Sequence, residues 1–258
     1  MDRNAPLLEV KDLCKSFGAL VVADRVSMAL RPGARHALIG PNGAGKTTLV
    51  NLITGTVEPS GGTILLGGED VTHWPQARRV KHGLARTFQI NTLFRGLSVL
   101  ENVCMAISER RALSAKLWRR ADARADVIAE GMDLLESVKL DGDARQRVRE
   151  LPYGRQRLVE LAIALGLRPT VLLLDEPAAG VPSAESHVLL EAVEALPESM
   201  AILMIEHDMD IVFRFAQRVT VLVQGAILTE GAPAEVGSDP RVQEVYLGEN
   251  AELHGGRR

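Results

Sequence analysis

Apolar and polar positions follow different rhythms along the chain, and the changes of rhythm divide it. Short apolar runs bounded by turn residues over 7–10, 21–30 and 36–39 predict strands, with Arg31, Pro32 and Gly33 as a turn. A helix is expected over about 45–53, then a turn at Pro59-Ser60-Gly61-Gly62 and a strand over 63–66. From about 97 to 167 the pattern is helical and charge-rich, which predicts a separate helical lobe. Strand and helix then alternate: VLLLD, a helix over 183–196, AILMI, a helix over 209–216, and VTVLV. Such alternation predicts a parallel sheet with helices on both faces, hence an α/β fold with the helical lobe as an insertion. The expected boundaries are an α/β core over 7–96 and 169–248, a helical part over 97–168, and a mobile polar tail over 249–258.

One helix lacks its usual opening device. Leu158, Leu161, Ala162 and Leu165 fall at i, i+3, i+4 and i+7, a buried helical face. Pro152 and Tyr153 stand where a Ser, Thr, Asp or Asn cap is expected.

Composition narrows the class. The 258 residues are 46% hydrophobic and 24% charged, as in an ordinary globular protein. With 30 basic and 33 acidic residues the net charge is −3, which gives no global case for nucleic-acid binding. Cys14 and Cys104 are the two cysteines, and they suggest a reducing compartment rather than a disulfide framework. No apolar run approaches the roughly 20 residues of a membrane span, and the N-terminus lacks a signal-peptide core. A soluble, cytoplasmic protein is expected, linked to a membrane only through a partner.

The chemistry begins at Gly40-Pro41-Asn42-Gly43-Ala44-Gly45-Lys46-Thr47, which matches G-x-x-x-x-G-K-[ST] between a predicted strand and helix. Glycines let the backbone N–H groups close around phosphates at a helix N-terminus. Lys46 would serve the β and γ phosphates, Thr47 would offer its hydroxyl to Mg²⁺, and Thr48 would reach the α phosphate. VLLLD ends in Asp175 and Glu176, at the strand end where ligands bind in such sheets. Asp175 is a candidate Mg²⁺ holder through water, and Glu176 a candidate to orient or deprotonate an attacking water. Gln89, ending a short strand over 85–88, and His207, following AILMI, are candidate sensors of the γ phosphate.

In this order, with a signature at 151–155 before a helix, these residues resemble the ABC ATPase family from about residue 7 to 248. The resemblance implies a P-loop NTPase fold with an N-terminal antiparallel β subdomain and an inserted α-helical subdomain. Ordinary phosphate-loop GTPases and kinases lack that lobe and signature. It also implies two ATP molecules sandwiched between two such chains, each between the phosphate loop of one and the signature of the other. Phe17 would then stack on adenine, Gln89 would contact Mg²⁺ and link to a membrane partner, Glu176 would be the catalytic base, and His207 would hold the γ phosphate. On this reading the uncapped helix leaves its first N–H groups for the facing chain's ATP.

The signature departs from the family's L-S-G-G-Q, reading Leu151-Pro152-Tyr153-Gly154-Arg155. Pro152 brings neither hydroxyl nor backbone N–H, while Arg155 offers a charged donor in place of the glutamine. After LLLDEP, where the family usually has an Asp, this chain has Ala179-Gly180-Val181-Pro182. Both departures affect the partner's ATP rather than the chain's own, which favours a heterodimer over a homodimer.

ITGTVEPSGG, RTFQ, LSVLENV, DEPAAGVP, IEHDMD and VYLGE resemble the ATP-binding subunits of branched-chain (hydrophobic) amino-acid importers. The implied partners are permease subunits and, indirectly, a periplasmic binding protein, with this chain peripheral on the cytoplasmic face of the inner membrane. Relatives serving urea, amides or aromatic acids stay open, as do a regulatory ATP-binding module and a soluble ATPase acting on ribosomes or DNA. Arg110, Arg111, Lys116, Arg119, Arg120 and Arg124 form a basic run that fits acidic lipid, a permease loop or a solvated amphipathic face. The expected permease groove lies beside Gln89, near 91–94, with Leu93 and Phe94 as apolar contacts.

Overall fold

The computed structural model describes residues 5–87, 93–113 and 121–246. In chain order the first elements are β1 (Leu8–Phe17), β2 (Leu20–Leu30), β3 (Arg35–Ile39), α1 (Lys46–Thr54), β4 (Gly61–Leu66), β5 (Glu69–Asp70) and α2 (Gln76–Lys81). Next come β6 (Leu84–Arg86), α3 (Val99–Arg110), α4 (Ala121–Ser137), α5 (Tyr153–Gly166), β7 (Val171–Asp175) and α6 (Ser183–Glu194). The last are β8 (Ala201–Ile205), α7 (Met209–Phe215), β9 (Arg218–Val223), β10 (Ala226–Gly231) and α8 (Pro233–Ser238). The chain divides into two compact units, Met1–Arg79 with Glu198–Arg258, and Val80–Pro197.

The first unit holds two layers of strands. One is an antiparallel sheet in the order β2-β1-β4-β5. Here β1 runs to Phe17, well past the strand end expected at residue 10. Register shifts between Val10 and Leu13, together with Asp12 at φ 45°, interrupt the alternation that marks a strand in sequence. In the other layer β3 pairs in parallel with β8 and β9, and β10 closes antiparallel on β9. Every residue of β8 is buried, and β3 is buried from His36 onward, which is why both read as unbroken apolar runs. His36 sits inside this layer with Nε2 2.7 Å from Thr220 Oγ1, and burial pushes its pKa down to about 4.

Helix α1 is closed at its far end by tertiary contacts. Gly55, at φ 78°, forms its C-cap. Arg79, 1% exposed, lays its guanidinium against that cap. It donates to the carbonyls of Leu52 (2.8 Å), Ile53 (2.7 Å), Thr72 (2.9 Å) and Trp74 (3.0 Å).

In the second unit, α3, α4 and α5 pack on one another and β6 lies parallel to β7, with Arg86 beside Leu173. Ser98 and Glu101 form a reciprocal capping box that starts α3. The expected helical stretch is broken by 3-10 turns at Asp141–Asp143 and Val148–Glu150. The strand expected over 85–88 is observed as Leu84–Arg86; Thr87 adds one bond from its N–H to Leu173 O (3.0 Å), and Phe88 lies outside the described residues. The tail over 249–258 also lies outside them.

Candidate nucleotide site

The phosphate loop follows β3 and leads into α1 within the first unit. Its glycines are required by geometry rather than composition. Gly40, at φ 151°, packs so close to β9 that a β-carbon would overlap the Leu222 carbonyl oxygen. Gly45, at φ 101°, would place a β-carbon 2.5 Å from Val22 O. The loop is tied down by Ala44 N–H to Pro41 O (3.1 Å) and Gly225 N–H to Ala44 O (2.9 Å). Lys46 Nζ donates to Gly40 O (2.5 Å) and Pro41 O (2.9 Å), so the ammonium lies over the loop. Gly45 gives α1 no side-chain cap and its first turn carries no acid, which leaves the positive end of the helix dipole directed at the loop. Thr47 is exposed and Thr48 half-buried in that first turn; Asn42 and Gly43 are also exposed. A cradle that a β-carbon would fill, with a cation and an uncapped helix end, is suited to hold phosphates.

Two further expected residues belong to this unit. Phe17 ends β1 with 52% of its surface exposed and Lys15 Nζ 4.9 Å from its ring centroid. Beside it Leu20 and Val21 are also exposed, so the hairpin offers an apolar face to a planar ring. His207 follows β8 with its ring mostly exposed, Nδ1 3.8 Å from Glu206 Oε2. Glu206 is buried and accepts from His207 N–H (3.2 Å). Glu206 was not among the expected site residues, although a carboxylate directly after the five apolar residues of β8 is a visible signal.

The second unit carries the acids. Asp175 ends β7, and its Oδ2 accepts from Arg86 Nη2 at 2.5 Å with both side chains mostly buried. Glu176, the next residue, lies past the end of β7 in the left-handed region at φ 46°. Gln89 lies outside the described residues.

Helix α5 begins at Tyr153 with Pro152 as its N-cap and no side-chain cap, as the sequence suggested. Its amides are nonetheless not all left open: Gly154 N–H donates to Glu185 Oε2 at 3.0 Å. The carboxylate comes so close that a β-carbon at 154 would overlap Oε2 and lie 2.9 Å from Glu185 Cβ. Arg155 is committed to neighbours, with Nε 2.5 Å from Asp143 Oδ2 and Nη2 3.3 Å from Lys139 O. Leu151 is buried. One turn further, buried Arg157 bonds Glu160 (3.0 Å) and the Tyr153 hydroxyl (3.1 Å). Burial, only partly offset by Arg157, raises the Glu160 carboxyl to about 7.

An apolar groove of about 310 Å³ opens beside α3 and α5, lined by Arg86, Leu93, Phe94, Met105, Ile163 and Leu167 among others. Phe94 is 55% exposed, whereas Leu93 is buried in the wall. Of the basic run, Arg110 and Arg111 both bond Glu130, as does Arg168 (2.7 Å), and Lys116, Arg119 and Arg120 lie outside the described residues. No helix among the described residues is long and apolar enough to cross a membrane.

A family model described as ABC transporter matches residues 23–179. The chain belongs to the ABC transporter family. A second model, branched-chain amino acid ATP-binding cassette transporter, matches residues 226–252. Over 255 residues the chain is 38% identical to the high-affinity branched-chain amino acid transport ATP-binding protein LivG of Escherichia coli (strain K12), covering 95% of this chain and 99% of that protein. It is 36% identical to BraF of Pseudomonas aeruginosa, a protein of the same description, covering 95% and 99%. A nucleotide-free ATP-binding cassette from an ABC transporter superposes with TM-score 0.82 at 31% identity, covering 94% of this chain and 99% of that one. The ADP conformation of an ATP-binding cassette superposes at 0.83 with 31% identity, covering 95% and 99%. The α/β class and the ABC ATPase fold expected from the sequence are those of the family.

Proposed function

We propose that this chain is the ATP-hydrolysing subunit of an importer for branched-chain or related hydrophobic amino acids. The transport names of its relatives and the match over residues 226–252 support the cargo class. Urea, amide and aromatic-acid uptake use the same machinery and are the readings to exclude by transport assay. The observation that carries the ATPase reading is the phosphate loop. Gly40 and Gly45 leave no room for side chains, and Lys46 stands over a helix end without a cap.

In this reading Gly40 to Gly45 wrap the phosphates with backbone N–H groups, Lys46 neutralises their charge, and Thr48 supplies a further donor. Phe17 stacks on adenine. Thr47 and Asp175, with Gln89, provide the hard oxygen donors that suit Mg²⁺, which would offset the phosphate charge. Glu176 holds and deprotonates the attacking water, and His207 contacts the γ phosphate. Leu151, Gly154 and Arg155 form the signature that faces the ATP of a second chain. Glu185 already sits on Gly154 and Asp143 already holds Arg155, so this signature is the weaker of the two. That supports a heterodimer in which the partner contributes the better one. The chain attaches to the membrane through permease subunits, on the cytoplasmic face. The apolar groove beside Phe94 and Met105 is the docking place for a permease helix.

Lys46→Ala and Glu176→Gln separate binding from hydrolysis. Lys46→Ala should weaken ATP binding at least tenfold, whereas Glu176→Gln should keep binding and lose turnover, by about 10²-fold or more for a general base. Undiminished ATP affinity in Lys46→Ala overturns the site, and turnover of Glu176→Gln equal to wild type reduces the chain to a binding module.

A further inference from the structure

We infer that Arg86 is a positioning residue that links the apolar groove to the metal-binding carboxylate. It competes with the divalent cation for Asp175 and is drawn away when the groove is filled. The inference rests on the reading of Asp175 as a metal ligand given above.

Two separate observations meet in this one side chain. Its guanidinium donates to Asp175 Oδ2 at 2.5 Å, with side-chain exposures of 17% and 16%. The same residue lines the groove together with Leu93, Phe94 and Met105. Partial burial makes the Arg86–Asp175 attraction stronger than an exposed pair would be. A guanidinium and the water bound to a divalent cation seek the same carboxylate lone pairs, and a fixed cation beside the carboxylate repels a second one. Arg86 therefore lowers the metal affinity of Asp175 for as long as it stays in place. Because Arg86 lines the groove, an apolar segment entering there, the permease helix in the reading above, packs against this side chain and shifts its head. The backbone favours such a relay. Arg86 ends β6, paired beside Leu173 of β7, and Asp175 ends β7 two residues on, so strand pairing fixes the carboxylate's distance from the groove wall.

The test measures Mn²⁺ binding by electron paramagnetic resonance, in the presence of a non-hydrolysable ATP analogue. Arg86→Gln should lower the half-saturating Mn²⁺ concentration about tenfold, equivalent to about 1.4 kcal/mol. Arg86→Lys, which keeps the charge, should return it most of the way to wild type. An unchanged or weakened Mn²⁺ affinity in Arg86→Gln overturns the inference. Asp175→Asn should weaken Mn²⁺ binding; if it does not, the reading of Asp175 as a ligand fails, and the inference with it. If Asp175→Asn weakens binding while Arg86→Gln leaves it unchanged, the inference alone fails. The groove is filled deliberately by labelling Met105→Cys with pyrene maleimide in a Cys14→Ser, Cys104→Ser background. Labelling should move Mn²⁺ affinity toward the Arg86→Gln value and add nothing when Arg86 is already Gln. A label with no effect in the Arg86 protein refutes the link to the groove.

Discussion

Replacing Arg79 tests whether the helix that carries the phosphate loop is held by its far end. The guanidinium is 1% exposed and makes four bonds, to the carbonyls of Leu52, Ile53, Thr72 and Trp74, between 2.7 and 3.0 Å. Two of those carbonyls belong to the last turn of α1, where the negative end of the helix dipole adds to the attraction. A hydrogen bond from a charged donor is worth about 1.5–3 kcal/mol, but four bonds to one guanidinium share a single desolvation cost and do not add. Arg79→Ala leaves four carbonyls without this donor and a cavity where the side chain lay. The expected loss is about 3–5 kcal/mol, a large part of the roughly 5–15 kcal/mol that holds a domain. Urea unfolding followed by Trp74 fluorescence, in a Trp118→Phe background, reads it directly. Trp74 provides one of the four carbonyls and has the Arg78 guanidinium stacked 3.5 Å from its ring. The midpoint should fall at nearly constant slope. Arg79→Met fills the space without the bonds and should recover little, whereas Arg79→Lys keeps the charge and should recover part. A loss below about 1 kcal/mol in Arg79→Ala, or full recovery by Met, refutes the reasoning, since packing alone would then explain the site.

Two more perturbations address the second unit. The Glu160 carboxyl is raised to about 7 in the folded chain from an ordinary 4.5, so between those values the folded state binds more protons than the unfolded one. Stability contributed by neutral Glu160 is thus present at low pH and lost as pH rises through about 7. Unfolding midpoints at pH 5.5 and 8 should show that decline in wild type and a shallower one in Glu160→Gln; parallel profiles would contradict the assigned burial. Glu185→Ala removes the acceptor of Gly154 N–H and should cost about 1 kcal/mol, the worth of a helix cap, while Glu185→Gln keeps an acceptor and should cost less. Hydrogen exchange at the Gly154 amide should quicken in Glu185→Ala, and an unchanged rate would mean that water already serves that amide.

What the sequence disclosed depended on the distance between cause and effect. The phosphate loop is a contiguous motif whose glycines answer to its own backbone, and β7 and β8 are unbroken apolar runs. Each was legible from neighbours alone. β1 read short because bulges spoil its alternation, and β5 and α2 have too few residues to show any period. The hairpin strand β10 is only half-buried along its length, so burial gave it no pattern to read. Two contacts that reshape the candidate site join residues far apart in the chain, Arg86 to Asp175 and Gly154 to Glu185, and no local pattern announces either. The missing cap of α5 was visible, and its substitute was not, because the carboxylate arrives from the first turn of another helix.

That borrowed cap has a consequence for the order in which the molecule can be made. Glu185 is 31 positions downstream of Gly154, so on the ribosome the helix leaves the exit tunnel before the carboxylate that finishes it. Until β7 has been laid down and α6 has begun, the opening turn of α5 has only water to satisfy it. Freed from the ribosome, a fragment ending just short of residue 185 should be more open to protease around Tyr153 than one that extends through α6.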